Sequence, residues 1–175
     1  MRQLFFALLL LSCFPAYSAT QGSLGNNSSG DLEINLTLGL LARITGLSDI
    51  AFGNWTGGDL TADQNICVGL YGTNTFRLRA TGSGDLNSAN AFALSNGSDY
   101  IPYRVYFNDQ NGLSGRTELT AATALTNQTA GAAFWNIFGC LINNANLSVL
   151  IEETELASAS AGNYTGTLTV TVIPE

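Results

Sequence analysis

Leu32, Ile34, Leu36, Leu38 and Leu40 alternate with Glu33, Asn35, Thr37 and Gly39 across residues 31–40. Tyr164, Leu168, Val170 and Val172 alternate in the same way with Thr165, Thr167, Thr169 and Thr171 across residues 162–173. Successive side chains of a strand point to opposite faces, so each stretch carries one apolar face at period two and does not fit a helix. Such a face needs a sheet and a core to cover it, and both ends of the chain therefore predict β-structure.

The first residues are read differently. Arg2, the apolar run 4–11 and Ala16-Tyr17-Ser18-Ala19 have the charged, apolar and small-residue regions of a secretory signal, with cleavage after Ser18 or Ala19. The run is too short to span a bilayer, and no later segment stays apolar for roughly 18 residues, so no transmembrane helix is expected. A lipoprotein signal ending at Cys13 is the alternative, although Leu11 is atypical at the middle position of Leu10-Leu11-Ser12. Setting residues 1–19 aside leaves about 156 residues, the size of one domain with a real core.

Charged residues make up 11% of the chain, against about 25% in ordinary soluble proteins. The polar surface is therefore built from Asn, Ser, Thr and Gly. All 6 basic residues are Arg and the net charge is -7, which excludes a protein that tracks nucleic acid phosphates. Acidity of this size serves solubility rather than a dedicated cation site.

Beyond the signal two cysteines remain, Cys67 and Cys140. In an oxidising compartment an even count favours a disulfide between them over two separate buried thiols. With no His and no second thiol near either cysteine, a metal pair is disfavoured.

Short strand-like runs and turn clusters follow one another along the chain, the rhythm of an all-β sandwich or barrel. Residues 48–53 read as a short strand. Residues 65–71 and 75–80 read as a hairpin around 72–74, with Phe76, Leu78 and Ala80 inward and Arg77 and Arg79 in water. Further strands are expected at 91–94, 101–107, 134–138 and 146–152, with a turn at 108–112. Within the Ala-rich stretch 118–133, residues 120–125 fit a short helix or a loop. The leading alternation continues through Ala42 and Ile44, longer than a typical strand of about 5–6 residues. Either one strand bends at Gly39, or a detachable segment over 31–38 precedes a first strand at 40–44. Residues 21–30, rich in Gly, Asn and Ser, suit a flexible leader.

Catalytic constellations are poor. No His is present, so no Ser/His or Cys/His nucleophile system can be assembled. Glu152, Glu153 and Glu155, or Asp59 with Asp63, are paired carboxylates of the kind glycosidases use, but solvated acidic turns explain them better. Residues 109–112 lack the ligand series of a calcium loop. Trp55, Trp135, Tyr100, Tyr103 and Tyr106 fit core and sheet packing better than a sugar-binding face. No enzyme activity and no cofactor are expected.

The signal, the early alternation, Asp49-Ile50-Ala51-Phe52-Gly53 and the closing run from Ala161-Gly162-Asn163-Tyr164 into alternating Thr and Val carry a family resemblance. The chain resembles pilus subunits of the chaperone-usher class, nearest to the spore coat protein U-like subunits of the archaic type, over most of its length after the signal. The resemblance implies an immunoglobulin-like β-sandwich lacking one strand, with the last strand lining the resulting groove. A periplasmic chaperone fills that groove first, and then the N-terminal extension of the next subunit replaces it, after delivery to an outer-membrane usher. Carried onto this chain, Leu32, Ile34, Leu36 and Leu38 become the donor strand, and Tyr164, Leu168, Val170 and Val172 the groove-lining last strand. Residues 20–39 become leader and donor, and 40–175 the pilin domain. The expected protein is a structural subunit of a surface pilus or fimbria, secreted through the periplasm, with other pilus subunits as partners and a role in adhesion or biofilm formation. One departure is visible: family members often pair a cysteine of the first strand with one ending the second, whereas residues 41–47 contain none.

Two rivals predict different behaviour. A self-complete sandwich acting as an adhesin or carbohydrate-binding module would keep its own N-terminal strand. A small outer-membrane barrel would present a lipid-facing apolar band, which the Thr face of 165–171 does not supply, and a closing aromatic in place of Ile173-Pro174-Glu175.

Overall fold

Phe76, Leu78 and Ala80 alternate with Arg77 and Arg79, and in the computed structural model their strand buries the three apolar side chains and exposes both arginines. The structure describes residues 20–131, 140 and 142–175. In chain order its elements are β1 (Leu41–Thr45), β2 (Leu60–Tyr71), β3 (Thr75–Thr81), β4 (Ala93–Ser95), β5 (Tyr100–Pro102), β6 (Arg104–Asn108), β7 (Thr117–Glu118), β8 (Ala124–Thr129), β9 (Ala145–Ile151), α1 (Glu153–Ser158) and β10 (Thr169–Pro174). Two units divide the chain, Met1–Leu38 and Gly39–Glu175.

The second unit is an all-β, immunoglobulin-like sandwich. One antiparallel sheet has the order β1-β2-β9-β6-β7, the other β10-β3-β8, and β4 pairs with β5 alone. Ile66, Val68, Val105, Phe107, Leu147 and Val149 from the first sheet meet Phe76, Leu78 and Ala80 from the second in one buried cluster. Phe76 and Phe107 touch edge to face, with centroids 6.0 Å apart, at the middle of the interface. The order β1-β2-β9-β6 reproduces the A-B-E-D sheet of an immunoglobulin-like domain, and β10 beside β3 reproduces F beside C. Tyr164 strengthens the match, because its hydroxyl lies 2.9 Å from the Ser160 carbonyl, as the corner tyrosine before strand F does, with its one proton shared between that carbonyl and Asp99 Oδ2.

Several expectations are corrected. Residues 65–71 and 75–80 do not form a hairpin: β2 is paired by β1 along 67–71 and by β9 along 60–66, so β3 crosses to the facing sheet. Gly72, at φ +84°, makes that crossing turn possible. The strand expected at 101–107 splits into β5 and β6, which pair with β4 and β9 respectively. Pro102 has no N–H to continue the ladder, and Tyr103 instead donates its N–H to Phe92 O at 2.9 Å while its ring stacks on Phe92. Residues 48–53 form no strand. Of the uncertain stretch 118–133, residues 121–122 turn and 124–129 are β8, paired to β3 through an irregular register. The strand expected at 134–138, and Trp135 with it, lie outside the described residues. A short helix, α1, occupies the acidic cluster after Glu152.

Cys67 and Cys140 are joined in a disulfide with a Cα separation of 5.7 Å. Beside it, Asn144 imitates a strand: its Oδ1 accepts from Val68 N at 2.8 Å, and its Nδ2 donates to Val68 O at 2.9 Å. This continues the β2 ladder where β9 ends at Ala145.

In the first unit, Thr20 and Asp31 exchange backbone hydrogen bonds of 2.9 and 3.0 Å, which closes a loop over residues 21–30. Residues 32–38 form no strand, despite their alternation. Leu32, Ile34, Leu36 and Leu38 are 70%, 84%, 80% and 66% exposed.

The Cys67–Cys140 bridge spans 73 residues, and closing a loop of that length contributes about 4 kcal/mol in the chain-entropy account. Replacing both cysteines by serine should therefore lower the unfolding free energy from urea titration by about that amount; an unchanged midpoint would contradict it.

Candidate functional site: an apolar cleft beside the last strand

The second unit has a cleft of about 1240 Å³ whose walls are residues 47–55 on one side and 156–168 on the other. Ile101, Val149 and Ile151, all buried core residues, form its floor, so the cleft opens directly onto the hydrophobic core. Among the described residues β10 pairs only with β3 and β1 only with β2. The edge of β10 away from β3 is where an immunoglobulin-like domain places strand G; among the described residues no strand is hydrogen-bonded to it, although β1 packs near β10.

Each wall is anchored at its ends by polar contacts and turns apolar side chains to the cleft. On the first, Ser48 donates from both N and Oγ to Gln64 Oε1, at 2.8 and 2.9 Å. Its far end is tied to α1: Gly58 N donates to Glu153 Oε1 at 3.1 Å and Glu153 N to Asp59 Oδ1 at 2.8 Å. Gly57 and Gly58, at φ +119° and +74°, allow that turn, and Trp55 Nε1 donates to Gly58 O. Between the anchors, Leu47, Ile50 and Phe52 line the cleft, and Leu47 and Ile50 remain 47% and 39% exposed.

The second wall runs from α1 to β10. Thr165 exchanges backbone hydrogen bonds with Ser95, and Thr167 N donates to Ser83 Oγ while that hydroxyl donates to Thr167 O. Gly166 sits so close to Ala93 O that an added Cβ would come within 2.9 Å of it. The backbone polar groups of Thr165 and Thr167 thus go to β4 and Ser83, and both residues line the cleft together with Tyr164, Leu168 and Val170.

Asp99, in the β4–β5 turn, accepts from Ser160 N at 2.9 Å and Tyr164 OH at 3.0 Å through Oδ2, and from Tyr100 N at 2.9 Å through Oδ1. These bonds, led by those from Ser160 and Tyr100, hold its carboxyl at about 2, below the ordinary 3.8. The Tyr164 hydroxyl is pushed up, by loss of solvation and then by Asp99. Burial likewise raises the Tyr103 hydroxyl, on the cleft lining.

Of the residues singled out from the closing alternation, Tyr164, Leu168 and Val170 line the cleft, and Val172 packs on the core outside its lining. The closing strand is shorter than the 162–173 alternation: Tyr164 and Leu168 precede β10, because 165–167 spend their polar groups on Ser95 and Ser83 instead of a continuous ladder. The other candidates are engaged structurally. Glu152 pairs with Arg104 at 3.1 Å, and Glu153 and Asp59 tie α1 to the 47–59 loop. Asp109 Oδ2 accepts from Thr129 N, and the turn behind it is held by Asn108, whose Nδ2 donates to Gly112 O and Ser114 O. Tyr106 lies beneath the Arg116 guanidinium, 4.2 Å from its centroid. Among the described residues no group of three or more His, Cys, Asp or Glu is placed to hold a metal, and no helix is long and apolar enough to cross a membrane. Asp99 and Ser83 carry no sequence pattern that marks them; only the asparagine-glycine turn signal at Asn96-Gly97 points near the first.

No protein-family model matches the chain, and no curated protein matches it. Among solved structures it is similar to a chain of a chaperone–tip adhesin complex of CFA/I fimbriae biogenesis, with TM-score 0.49 and 17% identity, over 77% of this chain and 42% of that one. It is also similar to a chain of the CsuC–CsuE chaperone–tip adhesion subunit pre-assembly complex from the archaic chaperone-usher Csu pili of Acinetobacter baumannii, with TM-score 0.37 and 19% identity, over 78% and 40% of the two chains. The chain spans less than half the length of these solved chains.

The low folded-state value of Asp99 fixes the sign of an acid response. A carboxylate depressed on folding contributes stability that is complete above its ordinary value, and this is lost as pH falls from near 3.8 through about 2. Amide exchange of residues 160–167, corrected for intrinsic rates, should accelerate over that window. Asp99→Asn should abolish the acid step; an identical profile in the variant would contradict the assignment.

Proposed function

We propose that this chain is a structural subunit of a cell-surface pilus, assembled by the chaperone-usher route through donor-strand exchange. Residues 1–19 direct export, residues 20–39 supply a leader and donor strand, and residues 40–175 form the domain that receives a donor. The observation that carries the reading is the cleft that reaches Val170 of β10, whose outer edge no described strand pairs, in a chain that leaves Leu32, Ile34, Leu36 and Leu38 exposed. An unpaired edge and a cleft wall with exposed apolar side chains such as Leu47 and Ile50 are both unfavourable in water, and an inserted strand relieves both at once. Burying Leu32, Ile34, Leu36 and Leu38 would contribute roughly 1.5–3 kcal/mol each before ordering costs. A continuous backbone ladder adds to that, so the joint would dissociate very slowly.

A periplasmic chaperone supplies the first occupant and an outer-membrane usher the place of exchange. The role is structural rather than catalytic, and the fibre supports adhesion or biofilm formation. Glu33, Asn35 and Thr37 lie on the outer face of the inserted strand, where they touch water.

Unheated gel electrophoresis of protein recovered from its native envelope tests the reading. Wild type should give a heat-sensitive ladder, and a chain lacking residues 20–38 should give none. Ile34→Asp should weaken each joint by at least the roughly ten- to hundredfold that one apolar side chain is worth, while Glu33→Gln should leave the ladder intact. A folded monomer without any ladder would overturn the proposal and favour a self-complete adhesin, to be tested with glycans.

A further inference from the structure

We propose that Asp99 is the positioning residue of the cleft, holding its second wall in the geometry that receives an inserted strand. The inference rests on the pilus-subunit reading above. Asp99 is not part of the cleft lining, but Ser160 and Tyr164, which it grips, are. It therefore touches no inserted chain and acts through them.

The grip is built from both directions. Asp99 is fixed within its own turn, where its N–H donates to Asn96 Oδ1 at 2.7 Å and its carbonyl accepts from Asn96 N at 3.2 Å. Its two carboxylate oxygens then take three donors, two from the wall and one from Tyr100 at the start of β5. A carboxylate presents acceptors in both directions, whereas an asparagine amide would turn an N–H toward one of these donors. The neighbouring contacts continue the same clamp: Ser95 exchanges backbone bonds with Thr165, and Gly162 passes so near Asn96 that an added Cβ would lie 3.1 Å from its Nδ2. The β4–β5 turn thus holds residues 160–165 by side chains and backbone where no ladder does. A wall held this way before insertion lowers the ordering cost of taking up a strand, which favours association rather than retention.

Uptake of a labelled synthetic peptide of residues 29–40 by the full chain carrying Ile34→Asp and Leu36→Asp, whose own donor is disabled so that its cleft is free, distinguishes this role from simple stabilisation. Asp99→Asn should slow association about tenfold, the factor that follows from losing one hydrogen bond to a charged group. Release from a preloaded complex should stay within about twofold of the same chain with Asp99 intact, because the inserted strand then holds the wall itself. Tyr164→Phe, which removes one of the three donors and keeps the ring, should slow association by a smaller factor, and it reads the same effect if Asp99→Asn does not fold. Association of both variants at the rate of the chain with Asp99 and Tyr164 intact, or a variant that speeds release as much as it slows uptake, overturns the role of Asp99 and leaves the pilus-subunit reading standing. A donor-disabled chain with Asp99 intact that takes up no peptide overturns both.

Discussion

The outer edge of β10 is the constraint on which the rest depends. Its inner edge is satisfied by β3 from Thr169 to Pro174, and its other edge is paired with no described strand. Beside that edge the cleft reaches down to the buried core residues Ile101, Val149 and Ile151 and leaves Leu47 and Ile50 of its wall partly exposed. Unpaired backbone groups and exposed apolar side chains are each costly. Residues 32–38 have the converse problem, a row of exposed apolar side chains without a ladder. On the donor-strand reading proposed above, the second deficit would meet the first in a neighbouring copy.

The walls explain how such a cleft persists in a folded domain. Neither is a strand, yet neither hangs free. Gln64 and Glu153 pin the 47–59 loop at its two ends, and Ser83, Ser95 and Asp99 pin 160–167. The polar contacts sit at the margins, so apolar side chains such as Ile50, Phe52, Leu168 and Val170 are left facing the space between. The Cys67–Cys140 bridge and the Asn144 amide close β2 where its ladder with β9 stops.

The alternation of β3 is readable in the sequence, whereas the equally complete one over 32–38 forms no strand. Phe76, Leu78 and Ala80 against Arg77 and Arg79 mark an inward face without ambiguity, because period two leaves no other way to bury three apolar residues in five. The cysteine pair was readable from compartment and count. Sheet membership was not: β2 and β3 look like a hairpin locally, and only the occupation of β2 by β1 and β9 sends β3 to the other sheet. Tyr103 interrupts an apolar run that looks continuous, since the break is set by Pro102 and by stacking on Phe92, residues apart in the chain. β8 was hidden because Ala, Thr and Asn carry little apolar signal on a strand whose residues are mostly exposed. The clamp at Asp99 was invisible for a similar reason: its partners lie 61 and 65 residues away.

The most direct measurement is cysteine cross-linking between two differently marked copies, one carrying Leu36→Cys and the other Leu168→Cys or Val170→Cys. If residues 32–38 of one molecule fill the cleft of another, mixed disulfide dimers form between the copies, since facing residues of paired strands lie within disulfide reach. Neither copy should dimerise alone. Bonding only within a chain carrying both substitutions, with no mixed dimer at any concentration, would contradict the account and show that the cleft is filled by its own N-terminal segment.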